Sequence, residues 1–180
     1  MKKRSFKKLI FITIFIFCLG FMAAIAMNKS SSNSFLKENG NLIAELEFKD
    51  GQSGFVGISG TSWIILPDGT CQGSRFVNDT VSSAHQICQL ERQDLASIAN
   101  SLSKSNFTEL PSEIPSKPTI NPHLLTIRLG EKSSTLQLQA GETIENALKI
   151  QQNQQETPQW RFLTVAGEIN QLIRKNCGDY

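Results

Sequence analysis

The sequence is poor in the residue patterns that announce chemistry. It has two histidines, His85 and His123, and no H-E-x-x-H. Its four cysteines form no C-x-x-C pair. A structural zinc site needs about four N or S ligands and a hydrolytic one about three, so no metal site is expected. Glycines 51, 54, 57 and 60 recur at every third position. That spacing matches neither G-x-G-x-x-G nor G-x-x-x-x-G-K-[ST], so no phosphate loop and no nucleotide cofactor is expected. Gly57-Ile58-Ser59-Gly60-Thr61 falls short of a nucleophile elbow. Thr61 stands where the last glycine belongs, and a strand pattern comes next where an elbow needs a helix. Glu45 and Glu47 pair on the outer face of one strand, where solvated carboxylates are the plain reading. The chain reads as non-catalytic.

A basic surface is missing too. Five of the eighteen Lys/Arg lie in the opening MKKRSFKK. The remaining thirteen face sixteen Asp/Glu, a net of −3. The formal +2 thus belongs to the first residues, and nothing argues for a nucleic-acid partner.

The segment after those basic residues is apolar: LIFITIFIFCLGFMAAIAM, Leu9 to Met27, nineteen residues without a charge. At 1.5 Å per residue a helix of this length spans about 28 Å, close to the hydrocarbon thickness of a bilayer. Ala24-Ile25-Ala26 also fits an A-x-A cleavage site. Two readings stay open: an uncleaved N-terminal membrane anchor, or a signal peptide removed near Ala26. A lipid-modified Cys18 is disfavoured by the bulky Phe17 before it. In either open reading the basic end stays cytoplasmic and the rest is exported, anchored to the cell membrane through residues 9–27 or secreted.

Three cysteines then remain, Cys71, Cys88 and Cys177. Export favours oxidation. Cys71 and Cys88 sit on neighbouring strand patterns, which makes them the candidate disulfide, with a pair of buried thiols as the alternative; Cys177, near the end, reads as free and frayed.

Residues 28–40, NKSSSNSFLKENG, are polar and read as a flexible spacer. A single domain is expected over 41–180. Leu42 to Phe48 alternates like a half-buried strand. Asp50 to Gly54 reads as a loop. Ser62 to Leu66 and Thr70 to Val77 read as strands joined by Pro67-Asp68-Gly69, a turn in which Pro presets φ and Gly accepts positive φ. His85 to Gln89 reads as a short strand. A helix begins near Glu91, with Asp94 in its first turn, Leu90 and Leu95 placed to staple its entry, and Leu95, Ile98, Ala99 and Leu102 as its apolar stripe. Pro111, Pro115, Pro118 and Pro122 define an extended proline-rich linker over 111–122. Leu124 to Leu129 and Thr135 to Leu138 form a second hairpin. Residues 141–159 are a Gln-rich excursion, either a surface loop or a poorly packed short helix. Thr157-Pro158 opens the last helix, with Phe162, Val165, Ala166, Ile169, Leu172 and Ile173 on one face.

The expected fold is α+β: an antiparallel sheet of hairpins with two helices packed on one face, preceded by an N-terminal apolar helix.

The glycine-spaced stretch 51–60, exposed between strands, is the candidate binding loop, with Ser53, Phe55, Ser59 and Trp63 as its candidate residues. Gly54-Phe55-Val56-Gly57, the helix Leu95 to Leu102, and Asn106-Phe107-Thr108-Glu109-Leu110-Pro111 together resemble small exported bacterial domains of unknown function. More remotely, over residues 42 to 140, they resemble emfourin-type inhibitors of metalloproteases. The resemblance implies a protein partner such as a protease. It carries over no inhibitory residue, and the apolar N-terminus departs from a leaderless inhibitor. The function expected is a non-catalytic, extracytoplasmic protein-interaction domain, with a protease inhibitor as its narrower form. The alternative is a structural or accessory subunit of the cell envelope; a hydrolase built near Ser59 or His85 ranks below both.

Overall fold

The computed structural model describes residues 34–154 and 156–178. The apolar segment 9–27 lies outside the described residues, and with it the expected N-terminal helix. Among the described residues no helix is long and apolar enough to cross a membrane.

Eight strands make one sheet: β1 (Leu46–Gly54), β2 (Gly57–Ile65), β3 (Thr70–Val77), β4 (Thr80–Val81), β5 (His85–Gln89), β6 (Glu113–Ile114), β7 (His123–Leu129) and β8 (Lys132–Leu138). Among the described residues three α-helices accompany them: α1 (Arg92–Lys104), α2 (Ile144–Gln151) and α3 (Pro158–Cys177). The strand order is β4-β3-β2-β1-β7-β8-β6, with β5 also paired to β3. The fold is α+β as expected, with two differences. The sheet is mixed, because β6 runs parallel to β8 while the other pairs are antiparallel. A third helix, α2, lies inside the Gln-rich excursion. Its Thr143 side chain caps Asn146 N–H at 3.2 Å, and Ile144 and Ala147 are buried. Two apolar residues one turn apart suffice to dock a helix that its glutamines leave without a continuous stripe.

Strand alternation sets the layers. Leu46 and Phe48 of β1, Trp63 and Ile65 of β2, and Leu125, Ile127 and Leu129 of β7 enter one core with Leu95, Ile98 and Leu102 of α1 and Phe162, Val165 and Ile169 of α3. Burying each large apolar side chain is worth about 1.5–3 kcal/mol, so this face dominates the stability. Helix α1 starts on a capping box between Glu91 and Asp94. The staple pair Leu90 and Leu95 is buried at 2% and 1% exposure. Helices α1 and α3 lie antiparallel, tied at both ends: Lys175 pairs with Asp94 at 3.1 Å, and Arg161 donates to the carbonyls of Ser105 and Asn106.

Three expectations move. The domain begins before residue 41. Phe35 is 5% exposed, Ile43 N–H donates to its carbonyl, and Leu36 bridges Leu42. Two apolar residues inside a polar stretch are enough to fold the end of the spacer onto the core. Second, residues 50–60 are mostly strand. β1 starts at Leu46 and runs on through the glycines to Gly54, where β2 returns from Gly57 in register. The turn Pro67-Asp68-Gly69 then joins β2 to β3, with Gly69 at φ 92 and Asp68 accepting the Thr70 N–H at 3.0 Å.

Third, the disulfide is Cys88–Cys177, and Cys71 is a buried free thiol. The expected Cys71–Cys88 pairing and a frayed Cys177 are both corrected. Cys71 and Cys88 are indeed cross-strand partners. The last turn of α3, however, carries Cys177 onto β5, and the bond forms there. Only the docking of α3 on the sheet makes that choice, since the paired cysteines are 89 residues apart.

Candidate functional site

The β1–β2 hairpin ends in a two-residue tip, Phe55-Val56, between the paired glycines Gly54 and Gly57. Gly57 sits at φ 103, and a Cβ there would meet Asn78 Oδ1 at 2.0 Å. Both facts demand glycine. Phe55 is fully exposed and Val56 is 68% exposed.

The tip is held from both sides. Asn78, itself in left-handed backbone at φ 52, accepts the Ile58 N–H at 2.9 Å on its side-chain oxygen. Its side-chain nitrogen donates to the Val56 carbonyl at 3.1 Å, and its backbone N–H donates to the Ile58 carbonyl at 2.6 Å. On the opposite edge Ser53 N–H donates to the Pro122 carbonyl at 2.9 Å, and Gln52 Nε2 donates to the Asn121 carbonyl at 2.7 Å. The end of the proline-rich linker thus braces the hairpin. A two-residue loop clasped on both flanks presents its side chains with little ordering left to lose on contact. Val77, Val81 and Ile120 are exposed on these flanking segments, so apolar surface gathers at one end of the sheet.

The four candidate residues do not form one site. Phe55 is at the tip. Ser53 is half-buried, with its backbone N–H committed to Pro122. Ser59 is half-buried on β2, opposite Gln52 and Val77. Trp63 is not at the tip: it is 9% exposed and stacks on Phe48 with ring centres 5.6 Å apart. Strand period explains the split. Trp63 lies six residues along β2 from Gly57, deep beneath the helices, whereas a loop would have kept it near the tip.

Asn78 and Asn121 were missed as site residues. Asn78 appears in the sequence only as the head of an N-x-T tripeptide, Asn78-Asp79-Thr80. A usable signal was present: an asparagine between two strand patterns is a residue suited to left-handed turn backbone and side-chain-to-backbone bonding.

Two other clusters of polar side chains stand out. His123 accommodates Asp50 Oδ1 at Nε2 and the Glu142 carbonyl at Nδ1, both at 2.6 Å. The hydrogen bond with Asp50 raises its pKa, burial works the other way, and the Glu142 carbonyl adds to the rise. Both partners offer acceptor oxygens, so the protonated ring, with an N–H on each nitrogen, suits this position joining β1, β7 and the turn after β8. On the sheet face away from the helices, Glu47 accepts from Arg128 Nε at 2.9 Å and Ser62 Oγ at 3.0 Å, with Lys49 at 3.2 Å. Burial pushes the Glu47 carboxyl up, but these donors outweigh it and hold its pKa below the ordinary value. Beside it Phe76 lies across Gly51, where a Cβ would come within 2.7 Å of the ring. A groove of about 510 Å³ opens there, lined by Lys49, Ile58, Phe76, Leu124, Thr126 and Thr135.

Ser101 and Lys104 have S-x-x-K spacing but lie within α1; Ser101 is buried and directs its hydroxyl at the Thr164 carbonyl, 3.5 Å away, while Lys104 is exposed. Among the described residues, the His, Cys, Asp and Glu side chains that gather closely enough to suggest a metal are Cys71, Cys88 and Cys177, and the disulfide takes up two of the three.

The chain matches no protein-family model and no curated protein.

Proposed function

We propose that this chain is a non-catalytic, extracytoplasmic protein-interaction domain that engages its partner through the β1–β2 hairpin tip, and that the partner is a protease which it inhibits. The observation that carries this reading is the fully exposed Phe55 on a two-residue tip fixed by Asn78. Seating an aromatic side chain in a partner's pocket recovers about 1.5–3 kcal/mol of apolar burial. A tip already clasped on both flanks binds without first being ordered. The remote resemblance of residues 42 to 140 to emfourin-type inhibitors favours a protease as the partner and carries over no inhibitory residue. The apolar run of residues 9–27 behind a basic start supports a location outside the cytoplasm, tethered or released after cleavage near Ala26.

The test is affinity capture from the host envelope with the full chain as bait, wild type beside a Phe55→Ser, Val56→Ser variant. The captured protease is then assayed with each added in stoichiometric amounts. Wild type is expected to capture it and suppress its activity, and the variant to do neither. Equal capture and equal suppression by both would remove the tip from the function. Recovery of a membrane assembly irrespective of the tip would favour the accessory-subunit reading.

A further inference from the structure

The Sγ atoms of Cys71, Cys88 and Cys177 all lie within 4.8 Å of one another. One thiol thus sits in contact range of a disulfide. The geometry of the strands marks which sulfur it would attack. Cys71 and Cys88 are directly opposed across the antiparallel β3–β5 pair, and the register shifts immediately after Cys71. Opposed residues in such a pair hold their Cβ atoms about 4.5–5.5 Å apart, a small movement from disulfide distance. Cys177 is placed differently. It is the last residue of α3 and is followed by Gly178, so the group that would leave sits at a helix end. Helix ends fray at little cost.

We propose that Cys71, Cys88 and Cys177 form an internal thiol–disulfide exchange site, in which Cys71 displaces Cys177 from Cys88 and so unlatches the C-terminal turn of α3 from the sheet. Cys71 gives up its proton and its sulfur bonds to Cys88 Sγ. The Cys88–Cys177 bond breaks, and Cys177 leaves as the thiolate and takes up a proton. One disulfide is consumed and one is formed, so no oxidant or reductant is needed. Burial pushes the Cys71 thiol up to about 11, which keeps the attacking thiolate scarce at neutral pH and makes the exchange slow. The latched form therefore persists until α3 loosens or solvent reaches Cys71. Unlatching frees a turn that also carries Lys175, the partner of Asp94 in α1. The hairpin tip takes no part in this exchange.

The test incubates the full oxidised chain at mildly alkaline pH, with neither thiol nor oxidant added. Samples are quenched with acid at intervals, labelled with an alkylating reagent and mapped by mass spectrometry without reduction. In wild type, labelled Cys177 and the Cys71–Cys88 cross-linked peptide are expected to rise together, at a rate independent of protein concentration. In Cys71→Ala, Cys177 is expected to stay unlabelled. In Cys177→Ser, the Cys71–Cys88 bond is expected to replace the lost one under mild oxidation. Labelling of Cys177 that is equal in wild type and Cys71→Ala would overturn the proposal, as would wild type in which no Cys71–Cys88 peptide ever forms. Should Cys177→Ser fail to fold, the comparison of wild type with Cys71→Ala decides alone.

Discussion

Asn78 donates its side-chain N–H to the Val56 carbonyl at 3.1 Å across a gap of 22 residues, so the turn between β3 and β4 holds the tip of the hairpin between β1 and β2. The same side chain excludes any Cβ at Gly57. Gly57→Ala is therefore expected to destabilise the domain by about 1–3 kcal/mol through strain at positive φ, with the clash added to it. Asn78→Ala is expected to cost less, about 0.5–1.5 kcal/mol, because the released groups reach water. Hydrogen exchange at Ile58 N–H should quicken in both variants. An unchanged rate in Asn78→Ala would mean the clasp does not hold the tip.

Phe55→Ser should leave stability within about 0.5 kcal/mol of wild type, since the side chain contributes nothing to the core. Trp63→Ala should do the reverse and cost about 3–5 kcal/mol by leaving a cavity against Phe48. Urea midpoints measured beside partner capture separate the two roles. A large stability loss in Phe55→Ser would place the tip in the fold rather than at the binding surface.

The His123–Asp50 pair gives stability a pH signature. The folded pKa of His123 is raised, chiefly by Asp50. Folding therefore favours the protonated ring. The gain is complete below the unfolded value of about 6.5 and is lost as pH rises through the higher folded value. Comparing wild type with Asp50→Asn by urea unfolding should show a difference of about 1 kcal/mol or less near pH 5.5 that shrinks toward pH 8.5. A difference that stayed constant across that range would show that the pair does not titrate with folding.

The Cys88–Cys177 bond closes a loop across 89 residues. The double variant Cys88→Ala, Cys177→Ala removes every pairing of the trio and should cost about 2–5 kcal/mol in the oxidised chain. Adding a reductant to wild type should bring its urea midpoint to that of the variant. Equal midpoints before any reductant is added would mean the bond is not formed.

Much of the fold was legible in local pattern. The Pro67-Asp68-Gly69 turn, the capping and stripe of α1, the Thr157-Pro158 start of α3 and the β7–β8 hairpin all rest on neighbours within a few residues, where turn chemistry and period act directly. The strand character of 50–60 was not legible. Glycine lowers strand propensity wherever it occurs, and here Phe76 packs over Gly51 from another strand. Of the candidate site, Phe55 was legible as an exposed apolar residue between glycines. Its support by Asn78 and Asn121 was not, because those contacts span 22 and 69 residues.

The amino-acid sequence by itself determined which segments turn, which carry an apolar face and where the helices begin, because each of these depends on interactions between near neighbours. Only the tertiary structure decided that Trp63 belongs to the core, that Phe35 joins it, and that Cys88 bonds Cys177 rather than its strand partner Cys71. Those outcomes depend on where α3 lands on the sheet, and that placement comes from packing the whole apolar face at once rather than from any local stretch.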